Sequence, residues 1–240
     1  WLKRYNDHPD ASRIFWLAKK RRPSNAKAPN APKKGYLNGY GLATASSYRP
    51  PIPLYTSGRA SPRTTRRVAR ELRRSIRRGW PSGALEVIEN NSNRRYLTKQ
   101  EEAQLRGEIA HAYFIFGVDD KAIRQARHGI GIGREGAHMA YWSGGLAAWR
   151  SGRFDIAGSF FRTLADEDEV FPALRAAAAF WAHRLEMREG RPQEAVRYLE
   201  IAAQELHSFY GVMARNILGQ EFDLSFDLPR YDDGFLEWLA

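Results

Sequence analysis

The chain has 240 residues, 43% of them hydrophobic and 27% charged, with a net charge of +11 and no cysteine. That length can bury a full core without staples, and the missing cysteines exclude disulfides, thiolate nucleophiles and Cys-ligated zinc. No apolar run is long enough to cross a bilayer, so no transmembrane segment is expected. The charge is uneven. Residues 1–80 hold 20 Lys and Arg against Asp7, Asp10 and Glu71, a net +17, whereas residues 81–240 carry −6. This is a basic arm beside a mildly acidic body.

Residues 1–22 read as a helix at the start of a helical array. Asp10 is its expected cap, Ile14, Leu17 and Ala18 form its apolar stripe, and Lys19, Lys20, Arg21 and Arg22 precede the stop at Pro23. Residues 23–61 are a Pro/Gly-rich basic belt or linker, with six prolines (Pro23, Pro29, Pro32, Pro50, Pro51 and Pro53) and Pro62 just beyond. Its tyrosines, Tyr36, Tyr40, Tyr48 and Tyr55, favour a belt pinned to a surface over a disordered linker. A second basic helix is expected from Ser61-Pro62 to Arg78, with Val68, Leu72 and Ile76 as its buried stripe. Arg66, Arg67, Arg70, Arg73, Arg74 and Arg77 are its candidate contacts for an anionic ligand. The pattern also suits a membrane-surface or nucleic-acid helix, and the simplest reading is a basic outer face of a repeat helix.

Beyond residue 80 the chain is alanine-rich and helical in period, and it repeats. A glycine is followed five residues later by alanine at Gly79/Ala84, Gly117/Ala122, Gly152/Ala157 and Gly190/Ala195, at steps of 38, 35 and 38 residues. The glycine closes one helix in the left-handed conformation, and the small alanine lets the next helix approach. Apolar residues follow at Val87 and Ile88, Phe160 and Phe161, and Tyr198 and Leu199; the second unit has Gln125 and Ala126 instead. Tyr113, Phe116, Trp142, Trp149, Phe180 and Trp181 are expected to fill the space between neighbours. The fold expected is all-α, a tetratricopeptide-like helical repeat superhelix (an α-solenoid) over residues 62–240.

Catalytic chemistry is not legible. The six histidines (His8, His111, His128, His138, His183 and His207) form no ligand pair with an acid at helical spacing. His111 and His183 are expected on helix faces. Gly129-Ile130-Gly131-Ile132-Gly133 has the glycines of a phosphate-binding turn but no preceding strand, so it reads as a helix–helix connection. Asp166-Glu167-Asp168-Glu169 reads as a solvated loop and helix N-terminus. No cofactor and no metal are expected.

Phe180-Trp181-Ala182, Gly190-Arg191-Pro192-Gln193-Glu194-Ala195 and His207-Ser208-Phe209-Tyr210-Gly211, with Ala214 and Leu218-Gly219, together resemble the superhelical domain of soluble lytic transglycosylases. Arg4-Tyr5, His8-Pro9 and Arg21-Arg22-Pro23 resemble its proteobacterial branch, so the resemblance covers roughly residues 1–22 and 140–230. It implies a periplasmic protein. The parent enzyme would cleave MurNAc-GlcNAc bonds of peptidoglycan with a single glutamic acid and leave 1,6-anhydro ends. In that family the glutamate is followed by serine, and no glutamate here is. The chain is therefore expected to be the non-catalytic part, truncated before the C-terminal catalytic domain, with no catalytic residue of its own. Its partners would be peptidoglycan, a periplasmic protein, or both. The alternative is a helical-repeat adaptor for protein–protein interaction without enzymatic activity. No specific nucleic acid is expected, because the basic arm carries no recognition motif.

Overall fold

A computed structural model describes residues 1–33 and 63–221. Among them the fold is all-α, with eleven helices and no strand. These are α1 (Ala11–Arg21), α2 (Arg63–Arg77), α3 (Pro81–Glu89), the single turn α4 (Asn91–Arg94), α5 (Lys99–Ile115), α6 (Asp119–Ile132), α7 (His138–Arg150), α8 (Phe154–Ala165), α9 (Pro172–Arg188), α10 (Pro192–Ala203) and α11 (Phe209–Ile217). A 3₁₀ turn, Arg134–Gly136, joins α6 to α7. Each helix from α5 onward packs on its successor, and α5 and α9 also reach the next helix but one, α7 and α11.

The glycine–alanine unit is the joint of this stack. Gly79, Gly117, Gly152 and Gly190 all adopt positive φ, between 70° and 75°, as does Gly219 at 66°. At Gly117 the mechanism is visible: its N–H bonds Phe114 O at 2.9 Å, and the N–H of Val118 reaches back to Tyr113 O at 2.9 Å. This double closure satisfies the last carbonyls of the helix. The following helix begins two residues after the glycine in all four repeat units. Ala84, Ala122, Ala157 and Ala195 are fully buried, so a larger side chain has no room at these crossings. Gly152→Ala isolates the backbone effect, because nothing lies within 4 Å of the added Cβ. It is expected to cost about 1–2 kcal/mol from the left-handed backbone, read as a lower urea midpoint at unchanged slope.

The second unit differs in kind from its neighbours. Where the others place a large apolar residue, Gln125 accepts a hydrogen bond at 2.9 Å from Arg106, which is 1% exposed. Arg106 also pairs with Glu102, whose other oxygen accepts from Arg94 at 3.1 Å. A satisfied ionic network thus fills this layer of the core.

Several local expectations change. Asp10 stands before α1 but makes no capping bond with its side chain. The helix covers only Ala11–Arg21 of the expected 1–22, and none of its stripe is buried: Leu17 is 47% exposed, Ile14 and Ala18 are partly exposed, and Ala11 is the one buried residue of α1. The glycine run 129–133 is not a connection: α6 continues through Ile132 and only Gly133 leaves the helix. A missing Cβ matters at Gly129, where one would stand 3.1 Å from Ala103 O and 3.2 Å from Arg106 Cβ. Close packing on α5 outweighs the poor helix propensity of glycine. The acidic run lies wholly before α9, with Asp166, Glu167 and Asp168 paired to Arg197, His138 and Arg175.

The segment before α1 is fastened to the array by long-range contacts. Trp80 at the head of α3 has no capping oxygen, and Asp7 supplies one from a distance, accepting from the Ser82 N–H at 2.8 Å. His8 packs its ring on Trp80 at 4.5 Å, and Tyr5 donates to Glu86. Of the expected belt, residues 23–33 carry no helix, and the Lys33 N–H bonds Asn6 O at 2.8 Å. The rest of it, with Tyr36, Tyr40, Tyr48 and Tyr55, lies outside the described residues, as does the stretch after Glu221.

Candidate functional site

The basic helix forms over the expected span, and its sequence sorts cleanly between two sides. Thr65, Val68, Ala69, Leu72 and Ile76 are buried. Arg63, Arg66, Arg67, Arg70, Arg74 and Arg77 are exposed on the opposite side. Steps of three and four residues put a guanidinium on that side at every turn, about 5.4 Å apart along the axis. Like charges one turn apart weaken an isolated helix; the buried stripe holds this one in place.

Arg67 is partly engaged, 3.7 Å from Glu71 and 3.3 Å from the Asn93 side chain. Arg66, Arg70, Arg74 and Arg77 make no ion pair with a carboxylate among the described residues. They are available for an anionic partner, unlike several arginines of the array. Arg150, Arg162, Arg191 and Arg197 are all paired with Asp or Glu of the neighbouring helices and turns.

Arg73 stands apart from the other five candidates. It turns off the stripe and forks onto Glu108 of α5, with bonds of 2.8 and 2.6 Å. The Glu108 carboxylate is 2% exposed, so burial raises its pKa while the Arg73 fork opposes the shift. Arg73 is therefore the counter-ion of a buried acid and ties α2 to the array. Glu186 offers the contrast: burial pushes its pKa up, yet two partners, Arg191 and Arg162, outweigh it and leave it lowered.

A second surface was only half legible in the sequence. Trp149 and Trp181 meet edge to face at 5.1 Å, and the Arg184 guanidinium lies over both rings. Trp181 Nε1 donates to the Tyr210 hydroxyl at 3.2 Å, which locks α9 to α11. The tryptophans were expected as spacers; Arg184 stands one turn after Trp181 on α9, and only the fold brings it over Trp149. His111 faces the Ser143 hydroxyl at 3.3 Å, and burial lowers its pKa. His183 Nδ1 contacts Ala195 O at 2.9 Å and so carries the proton as a donor. Among the described residues no three His, Asp or Glu side chains group as a metal site, and no helix is long and apolar enough to cross a membrane.

Comparisons with family models, curated proteins and solved structures give no match for the chain. What it can do chemically rests on these surfaces: a row of exposed cations on α2, most of them without a carboxylate partner among the described residues, set on a stack of helices.

Proposed function

We propose that the chain is the non-catalytic, tetratricopeptide-like superhelical domain of a periplasmic lytic transglycosylase, and that it holds peptidoglycan or a protein partner for a catalytic domain elsewhere in the parent protein. The observation that carries the binding role is the row of exposed guanidiniums on α2 without described carboxylate partners. Peptidoglycan presents repeated peptide carboxylates, and a row of cations on a rigid helix attracts such a polyanion from solution. The murein assignment comes from the Phe-Trp-Ala, Gly-Arg-Pro and Ser-Phe-Tyr-Gly segments.

Cosedimentation with purified sacculi tests the role. Binding is expected to weaken as salt rises, because exposed charges are screened over about 8 Å at physiological ionic strength. Replacing Arg66, Arg67, Arg70, Arg74 and Arg77 by Gln, with Arg73 left intact to preserve the buried pair, is expected to weaken binding at least tenfold, about 1.4 kcal/mol. Unchanged sedimentation of that variant removes the stripe from the function. Absence of sedimentation for the parent chain, with recovery of a crosslinked protein, identifies an adaptor instead.

A further inference from the structure

The last described helix, α11, is apolar on two opposite sides. On one, Gly211 and Ala214 are buried, and Tyr210 packs its ring against Trp142 and Phe180. On the other, Phe209, Val212, Met213 and Ile217 are 71%, 42%, 36% and 55% exposed. Steps of three and four residues place these side chains on one face. The outer side of α10 is different in kind and exposes Gln193, Glu194, Arg197 and Glu200. A helix apolar all round belongs inside a protein. Large apolar side chains gathered on one face mark an interaction surface, unlike scattered exposure.

The chain turns back at this face. Gly219 repeats the closure of Gly117: its φ is 66°, its N–H bonds Asn216 O at 3.1 Å, and the Gln220 N–H reaches Arg215 O at 3.0 Å. At each of the four earlier glycines the next helix packs on the one just closed. Beyond Gly219 the Arg215 guanidinium holds the exit, donating to Glu221 O at 2.8 Å. The residues that follow have the composition to cover an apolar face. Phe222, Leu224, Phe226 and Leu228 alternate with Asp223, Ser225 and Asp227, and Phe235, Leu236, Trp238 and Leu239 come after them. In an extended chain such alternation sets apolar side chains on one side and acids on the other. Leu224 stands five residues after Gly219, where the four repeat units place alanine, so this is not a fifth unit of the same build.

We propose that residues 222–240 fold back over the Phe209, Val212, Met213 and Ile217 face and seal this end of the stack. A helical array needs a polar outer surface at its ends, and Asp223 and Asp227 supply it once the apolar side is turned inward. This cap is separate from the α2 stripe and does not depend on the murein reading.

Photocrosslinking of the full chain tests the cap. The chain has no cysteine of its own, so a benzophenone maleimide on a Met213→Cys variant sits at one place only. Illumination in dilute solution is expected to join it to residues 222–240 of the same chain. The product is expected to fall when Phe226 and Trp238 are replaced by Ser. Trypsin gives a second reading, because Arg230 is the one basic residue of the segment. Phe209→Asp is expected to speed cleavage there at least tenfold, since proteolysis tracks the open population, with the helical circular dichroism unchanged. Crosslinks between two chains assign the face to a second copy and overturn the proposal. So does a crosslink only to residues before 222, no crosslink at all, or equal cleavage at Arg230 in the parent and in Phe209→Asp.

Discussion

Arg73→Met is expected to lower the stability of the chain by about 3–5 kcal/mol at neutral pH, because it leaves a carboxylate without its counter-ion inside the protein. Glu108 is 1% exposed, and both of its oxygens are taken by the Arg73 fork. The loss has a defined pH course. Burial raises the folded-state pKa of Glu108 against the opposing fork, so the folded chain holds that proton more readily than the unfolded chain. Stability from this linkage is fully present below the unfolded carboxylate pKa, about 4.3, and is lost as pH rises through the raised native value. Deleting Arg73 removes the interaction that restrains the shift. The deficit of Arg73→Met therefore widens from mildly acid to neutral pH in urea denaturation, and a second change, Glu108→Leu, restores most of it. A deficit equal at both pH values assigns the loss to packing alone.

Phe161→Ala carries the other large effect, about 3–5 kcal/mol. The ring is fully buried, stacked on Trp181 at 5.8 Å and tilted against Trp142 at the same distance. It thus fills the junction of α7, α8 and α9. Its third wall is Gly145: a Cβ there would stand 2.6 Å from the ring. Gly145→Ala alone overpacks the site and costs about 1–3 kcal/mol. In the Phe161→Ala background the same methyl enters vacated space, so its cost falls to near zero or reverses. A double-mutant cycle by chemical denaturation reads this coupling. Simple additivity of the two changes shows that Gly145 and Phe161 do not share the junction.

How much of this was legible follows from where the partners lie in sequence. The glycine–alanine joints are local, five residues across, and all four glycines have the backbone their position requires. The α2 stripe is also local, a matter of three- and four-residue steps, and its buried side matches. Arg73 looked like its neighbours because nothing within a helical turn distinguishes it; its partner is 35 residues away. The same holds for Arg106, whose Gln125 partner sits 19 residues on, in the unit that looked weak. Glycines 129 and 131 sent the opposite false signal. Their poor helix propensity is a local quantity, while the close approach of Gly129 to Ala103 and Arg106 belongs to the packed fold.

The Asp7 clasp on α3 has a kinetic consequence. The helices from α5 onward pack mostly on near neighbours in sequence, and such contacts form quickly. The clasp instead joins groups 75 residues apart, from Asp7 to the Ser82 N–H, and so carries a larger loop-closure cost. The opening residues are made first and secured late: until α3 presents its amide, Asp7 has nothing to hold. Stopped-flow refolding should show the array in a fast phase and the closing of the Trp1, Tyr5 and His8 cluster on Trp80 in a slower one.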